Sequence, residues 1–501
     1  MALQSLLIFI SCLLCFFAFP KANLYWLQCI SLIPLLFVFK HTFFKTFTLS
    51  YSKKLLSFSI VGFLYGLGYM GLTNLWVFEL IEFSTPFTIA ILFIIYTIIE
   101  ALFFGLIGLC YRLLNAKPIF LPFIWIVFEW LRSIGSFGSP NGILGYSQAS
   151  NKLINHVASI GGIFFVSFIC VLINILLFYV ITAMIQRNHK KFILNICLII
   201  LILISSFLYK FPLESNSRTI QIATIQANHS MQYKFDRKMR PRIRQDYINL
   251  SKATFDHYSP HLILWPETIT SSQNLLFSSL MNPINNMVHD YDVAFILGSP
   301  TKQSSNYYNS AAFISKNSLL TYDKIKLMPF GEYWPFKRIF QWFRLSNIIP
   351  GSEFTHGEST QLFLLDNLKI APIICLESTT SLLTRRYANQ DADIIVSLVN
   401  NAWFKASSIA ARQLQMLQFR SIEVGLPSVQ SANMGFSAFI NADGEITGLI
   451  KKYDQTYLVK TINVNYKNTL FRRLGNKIVL LSLLVLIIAF ILQKILFKQS
   501  Y

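Results

Sequence analysis

Long apolar runs joined by short loops fill the first 211 residues, and a chain inside a bilayer must satisfy its backbone hydrogen bonds internally. Runs near 3–20, 24–40, 55–75, 86–112, 118–131, 158–185 and 192–210 each approach the roughly 20 apolar residues that a spanning helix needs, and one more, at 476–496, follows a long polar interval. The fifth is short and must borrow from its flanks. This pattern predicts a membrane domain of seven transmembrane helices over 1–211, an α/β domain over 212–475 and a C-terminal transmembrane helix over 476–496. The first run could also be a signal peptide. However, "MALQSLL" carries no lysine or arginine and a second run follows within a few residues, so it reads as an uncleaved helix.

The loops after runs 2, 4 and 6 carry Lys40, Lys45, Lys53, Lys54, Arg112, Lys117, Arg187, Lys190 and Lys191. Those after runs 1, 3 and 5 carry Lys21, Arg132 and Lys152, and the third also holds Glu79 and Glu82. The first group is therefore expected on the cytoplasmic side, which puts the N-terminus inside and residues 212–475 on the periplasmic or outer side. The net charge of +20 is scattered over loops and the polar domain without a basic tract. It reads as orientation signal and attraction to anionic lipid rather than as a nucleic-acid surface.

Between 218 and 465 the pattern changes to short apolar runs split by polar segments. "TIQIATIQA", "HLILWPE", "VAFILGS", "SAAFIS", "LKIAPIICLE" and "ADIIVSLVN" read as strands, several of them apolar on both faces. "SIAARQLQMLQFRSIEVG" reads as a helix ending at Gly425, and Asp443-Gly444 between apolar runs reads as a hairpin turn. Mixed elements with doubly buried strands indicate a layered α/β domain.

Six of the seven cysteines lie in the apolar runs; Cys375 alone lies in the polar domain. With no second cysteine in that domain it is a buried inert thiol, one half of an intermolecular bridge, or a nucleophile. Two further polar residues end apolar strands. Glu267, in "LILWPETIT", is partly desolvated beside Trp265 and Pro266, which suits it to proton exchange, although a strand-end glutamate can equally enter solvent. Lys324, in "LLTYDKIKLMPFGEYWPF", shares an expected strand face with Lys326 and either stabilises an oxyanion or forms a surface ion pair with Glu332. Cys375 and Glu377 share a face if the strand continues through Leu376; a sharp turn after Cys375 would instead thrust the thiol into a cleft. A glutamate, a lysine and a cysteine ending three strands of one sheet would form a constellation for acyl transfer through a thioester.

"LWPET", "YDKIKLMPFGEYWP", "IICLES" and "VNNAWF", in this order, resemble the four signature regions of the nitrilase or carbon-nitrogen hydrolase superfamily. The apolar runs, "FEWLR" at 128–132 and "LGYSQ" at 144–148 resemble its membrane branch, the bacterial apolipoprotein N-acyltransferases. The resemblance implies a multi-pass α-helical bundle plus an αββα sandwich with a Glu-Lys-Cys triad: Glu267 as general base, Lys324 on the oxyanion and Cys375 as acyl carrier. Glu332 and Glu377 match supporting acidic positions, and Trp403 and Phe404 match a loop beside an apolar cleft. Four positions depart from the pattern: Phe235 stands for a usual tryptophan, Leu376 for a tyrosine, Asn401 for an aspartate and Gln430 for an arginine. These departures bear on lipid fit and rate more than on reaction class.

The family reaction moves an acyl chain from a membrane phospholipid, through a cysteine thioester, to the α-amine of the N-terminal cysteine of diacylglyceryl-modified apolipoproteins. It follows ping-pong kinetics in the cell inner membrane and needs no metal or organic cofactor. Two rivals are a membrane-tethered amidase or nitrilase that passes the acyl group to water, and a non-catalytic scaffold that anchors a glycosyltransferase.

Overall fold

The computed structural model describes residues 2–135, 138–208, 211, 212, 214, 218–269, 278, 280–329, 331–333, 353–405 and 407–498. The chain divides into two compact units. One comprises Met1–Ile81, Thr85–Lys210 and Arg473–Tyr501; the other comprises Glu82–Ser84 and Phe211–Arg472.

The first unit is helical: α1 (Ala2–Phe17), α2 (Ile33–Lys45), α3 (Tyr51–Thr73), α4 (Pro86–Leu113), α5 (Leu121–Ser133), α6 (Ala158–Ile185) and α7 (His189–Leu208), with Lys477–Lys498 at the end of the chain. Six helical stretches are long and apolar enough to cross a membrane: Tyr25–Lys45, Tyr51–Phe83, Pro86–Leu113, Asn155–Ile185, His189–Leu208 and Lys477–Ile495. This is a membrane protein. The runs read at 3–20 and 118–131 form helices of 16 and 13 residues, shorter than these six.

Helices α3 and α4 touch backbone to backbone. A Cβ on Gly62 would lie 2.2 Å from the Phe104 carbonyl oxygen, and one on Gly108 would lie 2.2 Å from that of Phe58. Small residues allow this approach where lipid offers no hydrophobic drive to pack helices. The "FEWLR" and "LGYSQ" segments meet inside this unit. Arg132 pairs with Glu100 at 3.2 Å and donates to the Asn141 carbonyl at 2.6 Å; Glu129 accepts from the Trp125 indole at 3.0 Å and the Leu144 N–H at 2.9 Å. Buried carboxylates and a guanidinium thus hold the 141–144 loop.

The second unit has two six-stranded sheets. Its strands are β1 (Thr219–Gln226), β2 (Leu262–Leu264), β3 (Ala294–Gln303), β4 (Asn306–Ser315), β5 (Ser318–Asp323), β6 (Phe363–Leu365), β7 (Leu368–Ile374), β8 (Ile394–Asn400), β9 (Ser428–Asn433), β10 (Ser437–Ile440), β11 (Ile446–Ile450) and β12 (Thr456–Asn463). The orders are β12-β1-β2-β3-β4-β5 and β11-β10-β9-β8-β7-β6. In each sheet the central strands, β1-β2-β3 and β7-β8-β9, run parallel, and antiparallel strands flank them.

Side-chain alternation builds the layers. Ile220, Ile222, Leu262, Leu264, Ala294 and Ile296 face one apolar core together with Ile370, Ile374, Val396 and Val429 of the other sheet. The intervening Ala223, Ile225, Ile263, Trp265, Phe295 and Leu297 face a second core with Ile243, Tyr247 and Ile284 of helices Arg240–Thr254 and Met281–Tyr291. Leu383, Tyr387, Leu414 and Leu417, from helices Ser381–Ala388 and Ile409–Val424, complete the outer layer on the second sheet. The result is an αββα sandwich in which β2 and the first part of β3 are buried on both faces, as their continuous apolar runs require. The helix ending at Gly425 (φ 66°) and the hairpin turning through Gly444 (φ 76°) form where the turn residues predict them.

Candidate active site

Glu267, Lys324 and Cys375 each follow a strand end, but not in one sheet. Glu267 follows β2 and Lys324 follows β5 of the first sheet, whereas Cys375 follows β7 of the second. The expectation of three strands of a single sheet is therefore corrected: both sheets contribute, with Glu267 and Lys324 on one layer and Cys375 on the facing one. Glu267, Cys375 and, at the end of β8, Asn400 lie at carboxyl ends of parallel strands, where α/β sheets commonly place their sites.

Glu267 is 6% exposed and Lys324 1% exposed. The Lys324 ammonium donates to Glu267 Oε1 at 3.1 Å and to Glu332 at 2.9 Å. Asn309 bridges the same two carboxylates, donating to Glu267 at 2.8 Å and to Glu332 at 2.6 Å. The second oxygen of Glu267 accepts the Asn400 backbone N–H at 3.1 Å, and that of Glu332 accepts the Met328 N–H at 2.7 Å. Burial works against the charge on Lys324, but Glu267, Glu332 and Cys375 offset it and hold the pKa well above the ordinary lysine value. Lys324 is therefore a fixed cation. Gly298 makes room for this arrangement, because a Cβ there would lie 2.6 Å from the Glu267 Cα and 2.7 Å from the Pro266 carbonyl.

The chain turns sharply at Cys375, whose φ of 50° lies in the left-handed region, and continues as a 3-10 turn over Cys375–Thr379. Of the two geometries read from the sequence, the turn is the one that forms. A non-glycine residue held there is strained and needs its surroundings to hold it. Glu377 does so: one oxygen accepts the Ile374 N–H at 2.7 Å, and the other accepts the Tyr322 hydroxyl and the Ile325 N–H at 2.7 Å and the Lys326 N–H at 3.1 Å. One carboxylate thereby ties the segment after β5 to the nucleophile turn after β7. Burial pushes Glu377 upward in pKa, and its hydrogen-bond donors and Lys324 oppose that push. The Cys375 thiol is half-buried and lies close enough to Glu267 and Lys324 for both charges to act on it. Desolvation first, then the negative charge of Glu267, raises its pKa above the thiol range, while Lys324 lowers it.

The paired strand face expected for Lys324 and Lys326 does not form, because β5 ends at Asp323. Lys326 instead reaches the Thr379 hydroxyl at 3.3 Å, and burial, with the Arg420 charge adding to it, lowers it to about 8. Phe235 is half-exposed, with its ring 5.8 Å from that of Trp403; Phe83, which groups with this unit, lies 4.8 Å from Trp403. Leu376 is half-buried in the nucleophile turn, and the Phe404 carbonyl accepts from Ser407, closing the loop behind Trp403. Gln430 lies in β9 and donates to the Phe436 carbonyl at 2.8 Å, a local link to β10. The Trp334-Pro335 end of the second motif lies outside the described residues. Among the described residues, no group of three or more His, Cys, Asp or Glu side chains could hold a metal ion.

Sequence reasoning missed Asn309, Asn400 and Gln413. Gln413 donates to the Cys375 carbonyl at 2.8 Å and stands 3.8 Å from its sulfur, and it accepts from Asn401 at 2.6 Å. Asn400 had a readable signal, since it ends an apolar strand as Glu267 does. Lys234 is also buried near the site; desolvation lowers it to about 7, and Glu267 opposes that.

The family model described as the apolipoprotein N-acyltransferase N-terminal domain matches residues 11–176, and that described as carbon-nitrogen hydrolase matches residues 221–468. An apolipoprotein N-acyltransferase of Geobacter metallireducens is 25% identical over 368 residues, covering 71% of this chain and 70% of that one. One from Photobacterium profundum is 26% identical over 436 residues, 83% of each chain. Apolipoprotein N-acyltransferase 1 of Treponema denticola is 26% identical over 475 residues, 85% of this chain and 86% of that one.

Proposed function

We propose, from the premise that this chain belongs to the bacterial apolipoprotein N-acyltransferase family, the membrane branch of the carbon-nitrogen hydrolases, that it N-acylates lipoproteins. The donor is a membrane phospholipid and the acceptor is the N-terminal cysteine of a diacylglyceryl-modified apolipoprotein. The single observation that carries this reading is the meeting of Glu267, Lys324 and Cys375, with the Lys324 ammonium fixed against Glu267 and both charges acting on the thiol.

In the first half-reaction Glu267 takes the thiol proton, and the Cys375 sulfur attacks the ester carbonyl carbon of the phospholipid. The oxyanion that develops is held by Lys324. The carbon-oxygen bond then breaks, the lysophospholipid leaves with the proton from Glu267, and a thioester remains on Cys375. In the second half-reaction the α-amine attacks that thioester while Glu267 accepts its proton. The carbon-sulfur bond breaks, and the thiolate recovers the proton. Two substrates using one cleft in turn give ping-pong kinetics. Glu332 and Asn309 act by holding Lys324 and Glu267 in register, and Glu377 by holding the nucleophile turn. Trp403, Phe404, Phe235 and Leu376 supply an apolar lining for the acyl chain.

The membrane bundle fits this chemistry, because extracting an acyl chain into water costs about 0.8 kcal/mol per CH₂. The proposed location is the cell inner membrane, with the α/β domain facing the periplasm, as the loop charges argue.

The test is to incubate the purified protein with phospholipid alone and seek an acyl adduct on Cys375 by mass spectrometry, then to add a lipidated cysteinyl peptide. The reading expects an adduct that the peptide discharges and water discharges only slowly. Release of free fatty acid without peptide, at the rate of peptide acylation, would overturn it in favour of a hydrolase. Absence of any adduct would overturn the thioester.

A further inference from the structure

The end of the helical unit that carries Lys40, Lys45, Lys53, Lys54, Arg112, Lys117, Arg187, Lys190 and Lys191 has no counter-charge in its own loops: residues 40–54, 112–117 and 187–191 contain no aspartate or glutamate. A cavity of about 310 Å³ opens there among α2, α4, α6 and α7. Lys40 and Lys191 line it from different helices, no carboxylate lines it, and among the described residues neither lysine forms an ion pair. The Lys40 ammonium instead stands 5.7 Å from the centre of the Phe178 ring. Neutral hydrogen-bonding groups, Gln186 and Asn195, join the lysines, while Phe39 and Phe178 form an apolar wall. The volume falls within the range of small-molecule sites.

Cations and aromatic rings lining one cavity match an amphiphile with an anionic head. Basic pockets between spanning helices bind acidic lipid headgroups. We propose that this cavity is a binding site for an anionic phospholipid, with Lys40 and Lys191 on the phosphate and the Phe39 and Phe178 wall on the start of an acyl chain. The site shares no residue with the Glu267–Lys324–Cys375 cleft, so it holds a lipid that is not the acyl donor. It stands whether or not the acyl-transfer reading does.

The test uses the full-length protein in detergent and native mass spectrometry of retained lipid, with phosphatidylglycerol, phosphatidylcholine and inorganic phosphate as probes. The variants are K40Q/K191Q and, as a control with the same charge change at the same end but outside the cavity, K53Q/K54Q. Lipid held in the catalytic cleft is common to all three proteins and cancels. The wild type and K53Q/K54Q should retain phosphatidylglycerol over phosphatidylcholine by about 10-fold or more, a preference that K40Q/K191Q should lose. Inorganic phosphate at the same concentration should not displace the lipid. Equal retention of the two lipids by the wild type would overturn the proposal. So would an equal loss in K53Q/K54Q, which would make the attraction diffuse, or displacement by inorganic phosphate, which would make the ligand a soluble anion. Unchanged melting temperatures without added lipid show that the variants fold.

Discussion

Asn401 donates its side-chain N–H to the Gln413 amide oxygen at 2.6 Å, and this aims the Gln413 amide N–H at Cys375. An aspartate at 401, the residue its family resemblance leads one to expect, could only accept there. Gln413→Leu removes the donor beside the sulfur, and Asn401→Asp removes what orients it. Both should slow alkylation of Cys375 by about 10-fold, the worth of a hydrogen bond to a charged group, and should move its pH profile upward. A purely structural role would lower the melting temperature and leave the profile where it was.

Glu267→Gln keeps the volume of the base and loses its proton affinity, so no useful thioester should form on incubation with phospholipid. Lys324→Met should slow thioester formation by at least about 100-fold if it removes an oxyanion donor. Both are read by the rate at which the acyl adduct appears on Cys375. Wild-type rates in either would end the assigned roles.

Glu377→Gln places an amide N–H where backbone N–H groups already point. With the Ile374, Ile325 and Lys326 N–H groups and the Tyr322 hydroxyl competing for one oxygen, the protein should lose about 2–4 kcal/mol of stability. Chemical unfolding of the full-length protein measures this, and thioester formation should fall with it.

Lys234 is lowered to about 7 from an ordinary value of 10.5. Below about 7 both folded and unfolded states carry its proton. Between there and 10.5 the unfolded state holds more protons, so stability rises with pH across this window and levels above it. The melting temperature of the wild type should therefore climb more steeply from pH 7 to 10 than that of Lys234→Met. Equal slopes would show that Lys234 titrates normally.

A reporter active only in the periplasm should work when fused after Ser215 and be silent after Asn188, given the nine cations against three in alternate loops. The reverse result would place the α/β domain in the cytoplasm.

The layered domain was legible because strand cores such as "LILW" and "VAFIL" are apolar at every position, and only a strand buried on both faces tolerates that. Glu267 stood out because it ends an apolar run, Cys375 because it is the one cysteine in the polar domain, and Lys324, which follows Tyr322 and Asp323, through its motif. Their division between two sheets was not legible, since strand order depends on pairings such as β12 with β1, whose partners lie far apart in the chain. Gln413 was invisible for a different reason: it sits in a helix where its face can be known only once Asn401 and Cys375 are placed beside it. The shortness of α5 was legible in its run, whereas that of α1 was not, because hydropathy counts apolar residues and does not see where a helix stops.

The pairing of β12 with β1 has a consequence for how the chain is made. All eight residues of β1 pair with β12, from Thr219 with Asn463 to Gln226 with Thr456, so the first sheet keeps an open edge until residues 456–463 have emerged from the ribosome. Domains generally fold as units during synthesis, and this one must wait for almost its last residues. During that interval β1 offers an unpaired strand edge to any passing chain, the situation in which aggregation begins. A chain broken off before residue 456 would keep Glu267, Lys324 and Cys375, yet β1 would remain an exposed template, marking the fragment for a chaperone or a protease.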